Sequence, residues 1–320
     1  MKITILYDYF FETLSTRLLG EIQDAAPGYI VSAVSQSVVE LKDLIDSEIV
    51  FGRVPPHLLK DLPDLKWLHL ASAGADGMTD ISLYANKSIL LTKSSGTFGI
   101  PMAEHIIGMM IALSRNSIYY YEEQKSSRWC GTLPDFVDVY GSTVLVLGLG
   151  DIGTEVCKRL STFGCKMIGF RRDVSKPHEV LSDVRPISKL RDFLPEADFV
   201  IICIPGTVET RGLFGREELA LMKDKAIIIN VGRGIIIDSD ALNEALVDGK
   251  IGGAGLDVTN PEPLPAEHPL WLAPNLLITP HISAATKLTT ERRAGVFIKL
   301  LKRYVAGQEM YNVVDFDAGY

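Results

Sequence analysis

The sequence has few cysteines and no excess of positive charge, and each scarcity excludes a class of protein. Only four of its 320 residues are cysteine, and Cys130, Cys157, Cys165 and Cys203 show neither metal-site nor CxxC spacing. No disulfide scaffold or metal centre is expected, and the thiols are predicted to be reduced and mostly buried in a cytoplasmic protein. Lysine and arginine total 32 against 40 aspartates and glutamates, a formal net charge of -8. No nucleic-acid partner is expected, because such binding needs a basic surface.

The chain also lacks a long apolar run. Segments such as FVIICIP (199–205) and KAIIINV (225–231) fall far short of the roughly 20 residues that a membrane helix needs. The first residues lack the basic start, long apolar core and cleavage site of a signal peptide. With 320 residues, of which 47% are hydrophobic, the sequence predicts a globular protein of two domains without membrane contact.

Short β-branched runs alternate with stretches of helical spacing. This alternation predicts an α/β fold with doubly wound parallel sheets. Helices are predicted after Pro101, through MAEHIIGMMIALSRN, and from Thr290 to Val305 with Gly307 as the stop. Nine runs are interpreted as buried strands: ITILY, EIVFG, KWLHLA, TVLVLGLG, KMIGF, DFVIICIP, KAIIINV, GAGLDV and LLITPH.

A glycine-rich turn in the middle of the chain is the most informative motif. VLVLGLGDIG reads as a strand followed directly by G-x-G-x-x-G, and a helix is predicted next. Gly148 permits the tight turn, Gly150 lets the backbone approach a pyrophosphate, and Gly153 lets the helix pack against the strand. The helix N-terminus then offers free N–H groups to the phosphates. The turn therefore predicts a bound nicotinamide dinucleotide.

The mid-chain position of the turn predicts the domain plan. A dinucleotide-binding βαβ unit normally opens its domain, so a separate domain is expected before it. The last helix lies beyond the last strand of the dinucleotide-binding domain and is assigned to the first domain. The predicted plan is a flavodoxin-like, discontinuous substrate domain (1–99 and 286–320) with a Rossmann dinucleotide-binding domain (100–285) inserted into it.

Two arginines at the end of the next strand bear on the choice of dinucleotide. An NAD site has a carboxylate about 20 residues past the turn, where it holds the ribose hydroxyls. Arg171 stands 18 residues past Gly153, and Arg172 follows it. Arginine can grip a 2′-phosphate that a carboxylate would repel. NADP(H) is therefore the predicted cofactor, with NAD(H) as the alternative if Asp173 reaches the ribose.

Three polar residues after predicted strands suit hydride transfer to a 2-keto acid. That reaction needs a cation for the carboxylate, a proton donor for the keto oxygen and a group that orients the donor. Arg233 follows AIIINVG, Glu262 follows GAGLDV, and His281 follows LLITP. The carboxyl ends of parallel strands are where such sheets gather their ligand-binding residues.

Together these segments closely resemble the D-isomer-specific 2-hydroxyacid dehydrogenases. The resemblance covers most of the chain. It implies the two-domain plan, a homodimer formed through the dinucleotide-binding domains, and a small 2-keto or 2-hydroxy acid as substrate. The matching segments are SAGADG (72–77), MAEH, GLGDIG, CIPGTVETRGLF, NVGRG, GAGLDVTNPEP and LLITPHISAAT.

The resemblance also implies a role for each matched residue. His281 would be the general acid in reduction, Glu262 its paired carboxylate, and Arg233 the cation that clamps the substrate carboxylate. Asp257 would hydrogen-bond the nicotinamide carboxamide. A buried carboxylate beside His281 would fix its tautomer and favour its protonated form. Ala73 and Gly74 would offer backbone N–H groups to the substrate. Further cofactor-binding positions are implied at Thr97, Asp151, Ile152, Ile204, Pro205, Thr210, Asn230, Val231, Gly232, Ser283 and Ala284.

The choice of substrate rests on weaker signals. Arg53 resembles the arginine with which phosphoglycerate dehydrogenases bind a distal phosphate, whereas Arg171 and Arg172 resemble those of glyoxylate and hydroxypyruvate reductases. A small keto acid of the second kind, used in the reducing direction, is favoured. The alternatives are an NAD-dependent phosphoglycerate dehydrogenase and a dinucleotide-sensing corepressor, and formate dehydrogenase is disfavoured. Thr259 and Gly206 depart from the usual phenylalanine and leucine of the family.

Overall fold

In the computed structural model, which describes residues 1–7, 16–131, 136–317 and 319, short strands alternate with helices. The strands are β1 (Lys2–Tyr7), β2 (Ile30–Ser35), β3 (Ile49–Phe51), β4 (Trp67–Leu70), β5 (Leu90–Lys93), β6 (Thr143–Leu147), β7 (Lys166–Arg171), β8 (Val184–Pro186), β9 (Phe199–Ile202), β10 (Ile227–Asn230), β11 (Gly253–Leu256) and β12 (Leu276–Ile278). The α-helices are α1 (Thr16–Ala25), α2 (Leu41–Leu44), α3 (Pro56–Leu59), α4 (Gly99–Ser114), α5 (Ser117–Lys125), α6 (Asp151–Leu160), α7 (Leu190–Phe193), α8 (Arg216–Leu221), α9 (Ser239–Val247) and α10 (Lys287–Val305).

The chain divides into two compact units. Unit 1 comprises Met1–Phe98 and Ala285–Tyr320, and unit 2 comprises Gly99–Ala284. Each unit is built on a parallel sheet of its own.

Unit 1 contains five parallel strands in the order β2-β1-β3-β4-β5, the flavodoxin-like arrangement. Successive side chains of a strand point to opposite faces of the sheet. Trp67 therefore packs on one face, with Phe51 and Phe297 of α10, whose rings stack at 4.6 Å. Leu68 packs on the other face with Val50. Apolar clusters on both faces make this sheet doubly wound.

Unit 2 contains seven parallel strands in the order β12-β11-β10-β9-β6-β7-β8. This is the Rossmann order with one added strand, and the direction of winding reverses between β6 and β9. Strands β9, β10 and β11 are buried along their whole length, which explains why their sequences are apolar except for Asn230 at the end of β10. The two sheets confirm the predicted fold class.

All nine predicted strands are present, and three further strands were missed. The missed strands β2, β5 and β8 are the last strands at sheet edges, and β5 has only an isolated antiparallel bridge, from Thr92 to Val313, on its outer side. The sequence of β2 is partly polar, and β8 has three residues that end in a proline, a residue tolerated at edges. Edge strands need less apolar sequence, so a search for apolar runs passes over them.

The predicted beginnings of two helices were wrong by a few residues. Helix α4 begins at Gly99, before Pro101, because the Asp151 carboxylate accepts a hydrogen bond from the Gly99 N–H at 2.9 Å. Helix α10 begins at Lys287, where the Thr286 side chain accepts a hydrogen bond from the Thr289 N–H. Its predicted stop is confirmed, since Gly307 has the left-handed φ of 65°.

The prediction that the four cysteines are mostly buried was wrong. All four are free thiols, but only Cys157 is buried, whereas Cys130, Cys165 and Cys203 are partly accessible. Cys157 lies on the inner face of α6, where burial raises the pKa of its thiol to about 12.

A histidine is fully buried in unit 1. His69, on β4, has one ring nitrogen 2.7 Å from the Thr92 hydroxyl and the other 3.1 Å from the Ser94 hydroxyl. Its ring lies among Phe51, Trp67 and Phe297. Burial lowers the pKa of His69 from 6.5 to about 3, so the folded protein holds this imidazole neutral.

The buried His69 makes the stability of the protein fall in mild acid. Below pH 6.5 the unfolded chain binds a proton that the folded chain does not bind until about pH 3, so stability is lost as the pH falls through this window. Between pH 7 and pH 5 the loss from this residue is about 2 kcal/mol. Urea denaturation at both pH values should show that His69→Gln removes this part of the loss, whereas the exposed-site control His57→Gln should retain it. If the free energy of unfolding depends on pH equally in wild type and His69→Gln, His69 is not the cause of the loss.

Candidate active site

The glycine-rich turn joins β6 to α6, and two of its glycines are required by the fold. Gly148 has a φ of 93°, and a Cβ there would lie 2.7 Å from the Cys203 carbonyl oxygen. A Cβ on Gly153 would lie 1.8 Å from the Gly148 carbonyl oxygen. Around Gly150, in contrast, a Cβ would meet no atom within 4 Å. The open surface at Gly150 therefore fits a group from outside the protein that approaches the backbone.

The N-terminus of α6 is not capped by its own N-cap residue. Gly150 occupies the N-cap position and has no side chain to cap the first turn. Asp151 directs its carboxylate to Gly99 of α4. Ile152 and Gly153 follow in the first turn, where backbone N–H groups and the positive end of the helix dipole favour an anion.

The end of β7 carries Arg171, whose donors are partly unsatisfied. Its Nε and Nη2 atoms are buried and have no hydrogen-bond partner among the described residues. Such donors fit an anionic ligand, because burying them without a partner is unfavourable. Arg172 is exposed. Asp173 accepts hydrogen bonds from the Ser175 N–H and hydroxyl, which lower the pKa of this carboxyl. One of its oxygens is thus committed to the turn after β7.

The buried carboxylate of Asp257 organises the loop after β12. It is 1% exposed and follows β11. Its Oδ1 accepts hydrogen bonds from the Thr279 hydroxyl at 2.6 Å and the Ile282 N–H at 2.9 Å. Its Oδ2 accepts a hydrogen bond from the Ser283 N–H at 3.0 Å. The loop from 279 to 283 therefore wraps around one carboxylate.

His281 lies in this loop and contacts Glu262. Its backbone N–H donates to the Asp257 carbonyl at 2.8 Å, and its φ of 55° lies in the left-handed region. Its Nδ1 is 2.7 Å from Glu262 Oε1. The two side chains are 51% and 42% exposed, so the expected burial of the carboxylate was wrong. The predicted pair is nevertheless in direct contact.

Arg233 lies in a tight turn after β10, held by the side chain of Asn230. The Asn230 amide donates to the Arg233 carbonyl at 2.9 Å, and its oxygen accepts from the Gly232 N–H at 3.0 Å. A Cβ on Gly206 would lie 3.0 Å from the Arg233 side chain, so a larger residue at this position would require that side chain to shift slightly. A Cβ on Gly234 would lie 1.9 Å from the Thr259 carbonyl oxygen. The arginine turn thus packs closely on the loop that leads to Glu262.

The remaining predicted positions of unit 2 follow carboxyl ends of strands. Thr210 accepts a hydrogen bond from the Thr207 N–H at 2.8 Å and donates to the Pro205 carbonyl at 2.7 Å, which closes the loop after β9. Ile204 and Pro205 follow β9, Val231 and Gly232 follow β10, and Ser283 and Ala284 follow β12.

In unit 1 the structure brings Arg53 beside the SAGADG loop. The Arg53 guanidinium donates to the Asp76 carbonyl at 3.0 Å, in the loop that contains Ala73 and Gly74. The Thr97 hydroxyl donates to the Ser94 carbonyl at 2.8 Å, and Thr97 is buried. These residues belong to unit 1, whereas the residues described above belong to unit 2.

Neither a membrane helix nor a metal cluster is found in the part of the chain that the structure describes. Its helices are not long and apolar enough to cross a membrane. No three histidine, cysteine, aspartate or glutamate residues among those described are grouped so that they could hold a metal ion.

The chain is similar to known proteins over most of its length. Residues 107–283 match a family model described as D-isomer specific 2-hydroxyacid dehydrogenase, NAD binding domain. A glyoxylate/hydroxypyruvate reductase B of Pectobacterium carotovorum is 34% identical over 82% of this chain and 83% of its own length. A D-3-phosphoglycerate dehydrogenase of Methanocaldococcus jannaschii is 32% identical over 86% of this chain, but the match spans only 53% of that protein.

A solved structure is also similar over the whole chain. The NADPH-dependent glyoxylate/hydroxypyruvate reductase of Sinorhizobium meliloti, solved with NADP and sulfate, aligns with a TM-score of 0.83 and 25% identity. The alignment covers 100% of both chains.

Proposed function

Because this chain belongs to the D-isomer specific 2-hydroxyacid dehydrogenase family, we propose that it uses NADPH to reduce a small 2-keto acid such as glyoxylate or hydroxypyruvate. The chain is an NAD(P)-dependent D-2-hydroxyacid dehydrogenase, and the proposal concerns its substrate, its preferred cofactor and its working residues. The observation that carries the proposal is the 2.7 Å contact between His281 and Glu262, in a loop organised by Asp257.

His281 is proposed as the general acid. A carboxylate can only accept, so Nδ1 of His281 donates its proton to Glu262 and leaves Nε2 as the atom that serves the substrate. A dinucleotide held at Gly150 and the N-terminus of α6 would supply the hydride for the carbonyl carbon. Nε2 of the protonated imidazole gives its proton to the keto oxygen, a hydroxyl group forms, and a neutral imidazole remains. Glu262 stabilises the imidazolium before the transfer and holds the ring in one orientation.

Arg233 is proposed as the cation for the substrate carboxylate. A keto acid carries its carboxylate next to the reacting carbonyl, so a guanidinium that grips it also orients the carbonyl. The Asn230 bonds fix the backbone of Arg233, which supports a defined position for this side chain. Unit 1 is proposed to be the substrate domain, with the N–H groups of Ala73 and Gly74 as further donors to the carboxylate.

The cofactor preference is proposed from Arg171. The open backbone at Gly150 and the N-terminus of α6 suit the pyrophosphate of either dinucleotide. Only NADP carries a 2′-phosphate, and the unsatisfied Nε and Nη2 of Arg171 are donors that such a group would use. Asp173, the alternative partner for a ribose, is already bonded to Ser175. These observations favour NADPH over NADH.

Arg53 gives no specific support to a phosphoglycerate substrate. Its guanidinium donates a hydrogen bond to the Asp76 carbonyl and so holds the SAGADG loop. We therefore retain the small keto acid. A dinucleotide-sensing corepressor would bind the cofactor tightly and turn over no keto acid, which separates it from an enzyme in the experiments below.

The homodimer is proposed from apolar side chains that unit 2 leaves exposed. Tyr121, Trp129 and Tyr140 are largely accessible, and exposed apolar side chains are a feature of surfaces that bind another protein molecule. Light scattering should give a mass about twice the 35.2 kDa of one chain, and the mass of a single chain would refute the dimer.

The cytoplasmic location stays a prediction.

Replacement of His281 tests the proposed chemistry. His281→Ala should lower kcat/KM for hydroxypyruvate by about a thousandfold, because general acid catalysis contributes about 10²–10⁴-fold. The dissociation constant for NADPH should stay within about twofold, since the imidazole acts on the substrate. Steady-state kinetics and fluorescence titration measure the two quantities, with the exposed-site variant His57→Ala as control. Near-normal turnover in His281→Ala would refute the role, and wild-type protein that binds NADPH but reduces no 2-keto acid would favour the sensor.

Replacement of Arg171 tests the cofactor preference. Arg171→Ala should raise KM for NADPH by about 10–100-fold, because it removes a charge-assisted hydrogen bond to the 2′-phosphate. The KM for NADH should stay nearly unchanged, because NADH has no 2′-phosphate. Lys166→Ala, at the opposite end of β7, is the matched control, because Lys166 pairs with Glu196 on the surface. Wild-type protein with a higher kcat/KM for NADH than for NADPH would end the NADPH proposal.

A further inference from the structure

We propose that His105 is a positioning residue that, through Thr279, fixes the Asp257 carboxylate and with it the loop that presents His281. The inference rests on the proposed role of His281. His105 lies on α4, in the matched segment MAEH, and the sequence motifs assign it no function of its own. Its Nε2 is 3.0 Å from the Thr279 hydroxyl oxygen.

The direction of each hydrogen bond in this group follows from its chemistry. The Thr279 hydroxyl donates its only proton to Asp257 Oδ1, because an ionised carboxylate can only accept. The Thr279 oxygen can then only accept from His105, so His105 carries a proton on Nε2. The chain runs from His105 through Thr279 to Asp257, and donors aligned in this way strengthen one another.

Asp257 transmits this restraint to the backbone of the catalytic loop. The Oδ1 atom that binds Thr279 also accepts the Ile282 N–H, and Oδ2 accepts the Ser283 N–H. These two amides directly follow His281, whose own N–H donates to the Asp257 carbonyl. A rotation of the Asp257 carboxylate would therefore disturb the two consecutive amides that follow His281.

The backbone conformation of His281 depends on these hydrogen bonds to Asp257. Its φ of 55° is unfavourable for a residue with a side chain and persists only where surrounding contacts impose it. The hydrogen bonds of Asp257 are those contacts. Loss of the His105 donor removes one of the two hydrogen bonds that hold the Thr279 hydroxyl, and His281 then samples positions less suited to proton transfer.

The neighbours of His105 on α4 indicate that packing alone does not require a histidine. The inward side of this helix is otherwise largely apolar, with Met102, Ile106 and Met109 buried. A leucine at 105 would suit such an environment, but it would give Thr279 no donor. The distinctive contribution of the imidazole is therefore its Nε2–H group.

The test compares variants that keep or remove the two donors. His105→Leu and Thr279→Val should each lower kcat for hydroxypyruvate by about tenfold, because the loop that presents His281 is less firmly held. His105→Gln and Thr279→Ser retain a donor or hydroxyl near the original position and should recover most of kcat. The double variant His105→Leu/Thr279→Val should be little worse than either single one, because both act through one chain of bonds. Glu104→Gln, on the same helix at an exposed site, is the control.

A second readout needs no turnover. Hydrogen exchange measured by mass spectrometry over residues 279–286 should be about tenfold faster in His105→Leu and Thr279→Val, and normal in His105→Gln and Glu104→Gln. Unchanged exchange in both donor-removing variants would overturn the proposal, as would a His105→Gln variant as impaired as His105→Leu. If wild-type protein reduces no keto acid, the proposed function fails, and the exchange result still decides whether His105 holds the loop.

Discussion

The hydrogen bonds of one buried carboxylate hold the candidate active site together. Asp257 is 1% exposed and accepts bonds from the Thr279 hydroxyl and from two backbone N–H groups of the next loop. A buried carboxylate is unfavourable unless donors surround it, so the loop must close around Asp257 for the protein to fold well. The closure sets the left-handed backbone of His281, and from that backbone the imidazole reaches Glu262.

The glycine-rich turn shows the same coupling of packing and function. Gly148 and Gly153 are imposed by backbone atoms that would collide with any Cβ. Gly150 has no such neighbour, which leaves its surface free for a phosphate group. The fold therefore accounts for two of the three glycines, and the third is explained by the ligand that the family binds.

The sequence predicted the parts of this molecule that depend on local pattern. Short segments of sequence were enough to predict the nine apolar strands, the turn between β6 and α6, and the order of Arg233, Glu262 and His281. The edge strand β8 was missed because it has only three residues and ends in a proline, and the bond between Asp151 and Gly99 was not predictable because it joins residues far apart in the chain. The same holds for the pairing of His105 with Thr279, 174 positions away, and for the exposure of Glu262.

We propose that His281, paired with Glu262, protonates the keto oxygen of a small 2-keto acid as NADPH is oxidised. Chiral analysis of the product formed from hydroxypyruvate and NADPH tests this claim most directly, with NADPH loss followed in the same reaction. D-glycerate alone is expected, in a one-to-one ratio to the NADPH consumed. L-glycerate, a mixture of the two isomers, or no consumption of NADPH would contradict it.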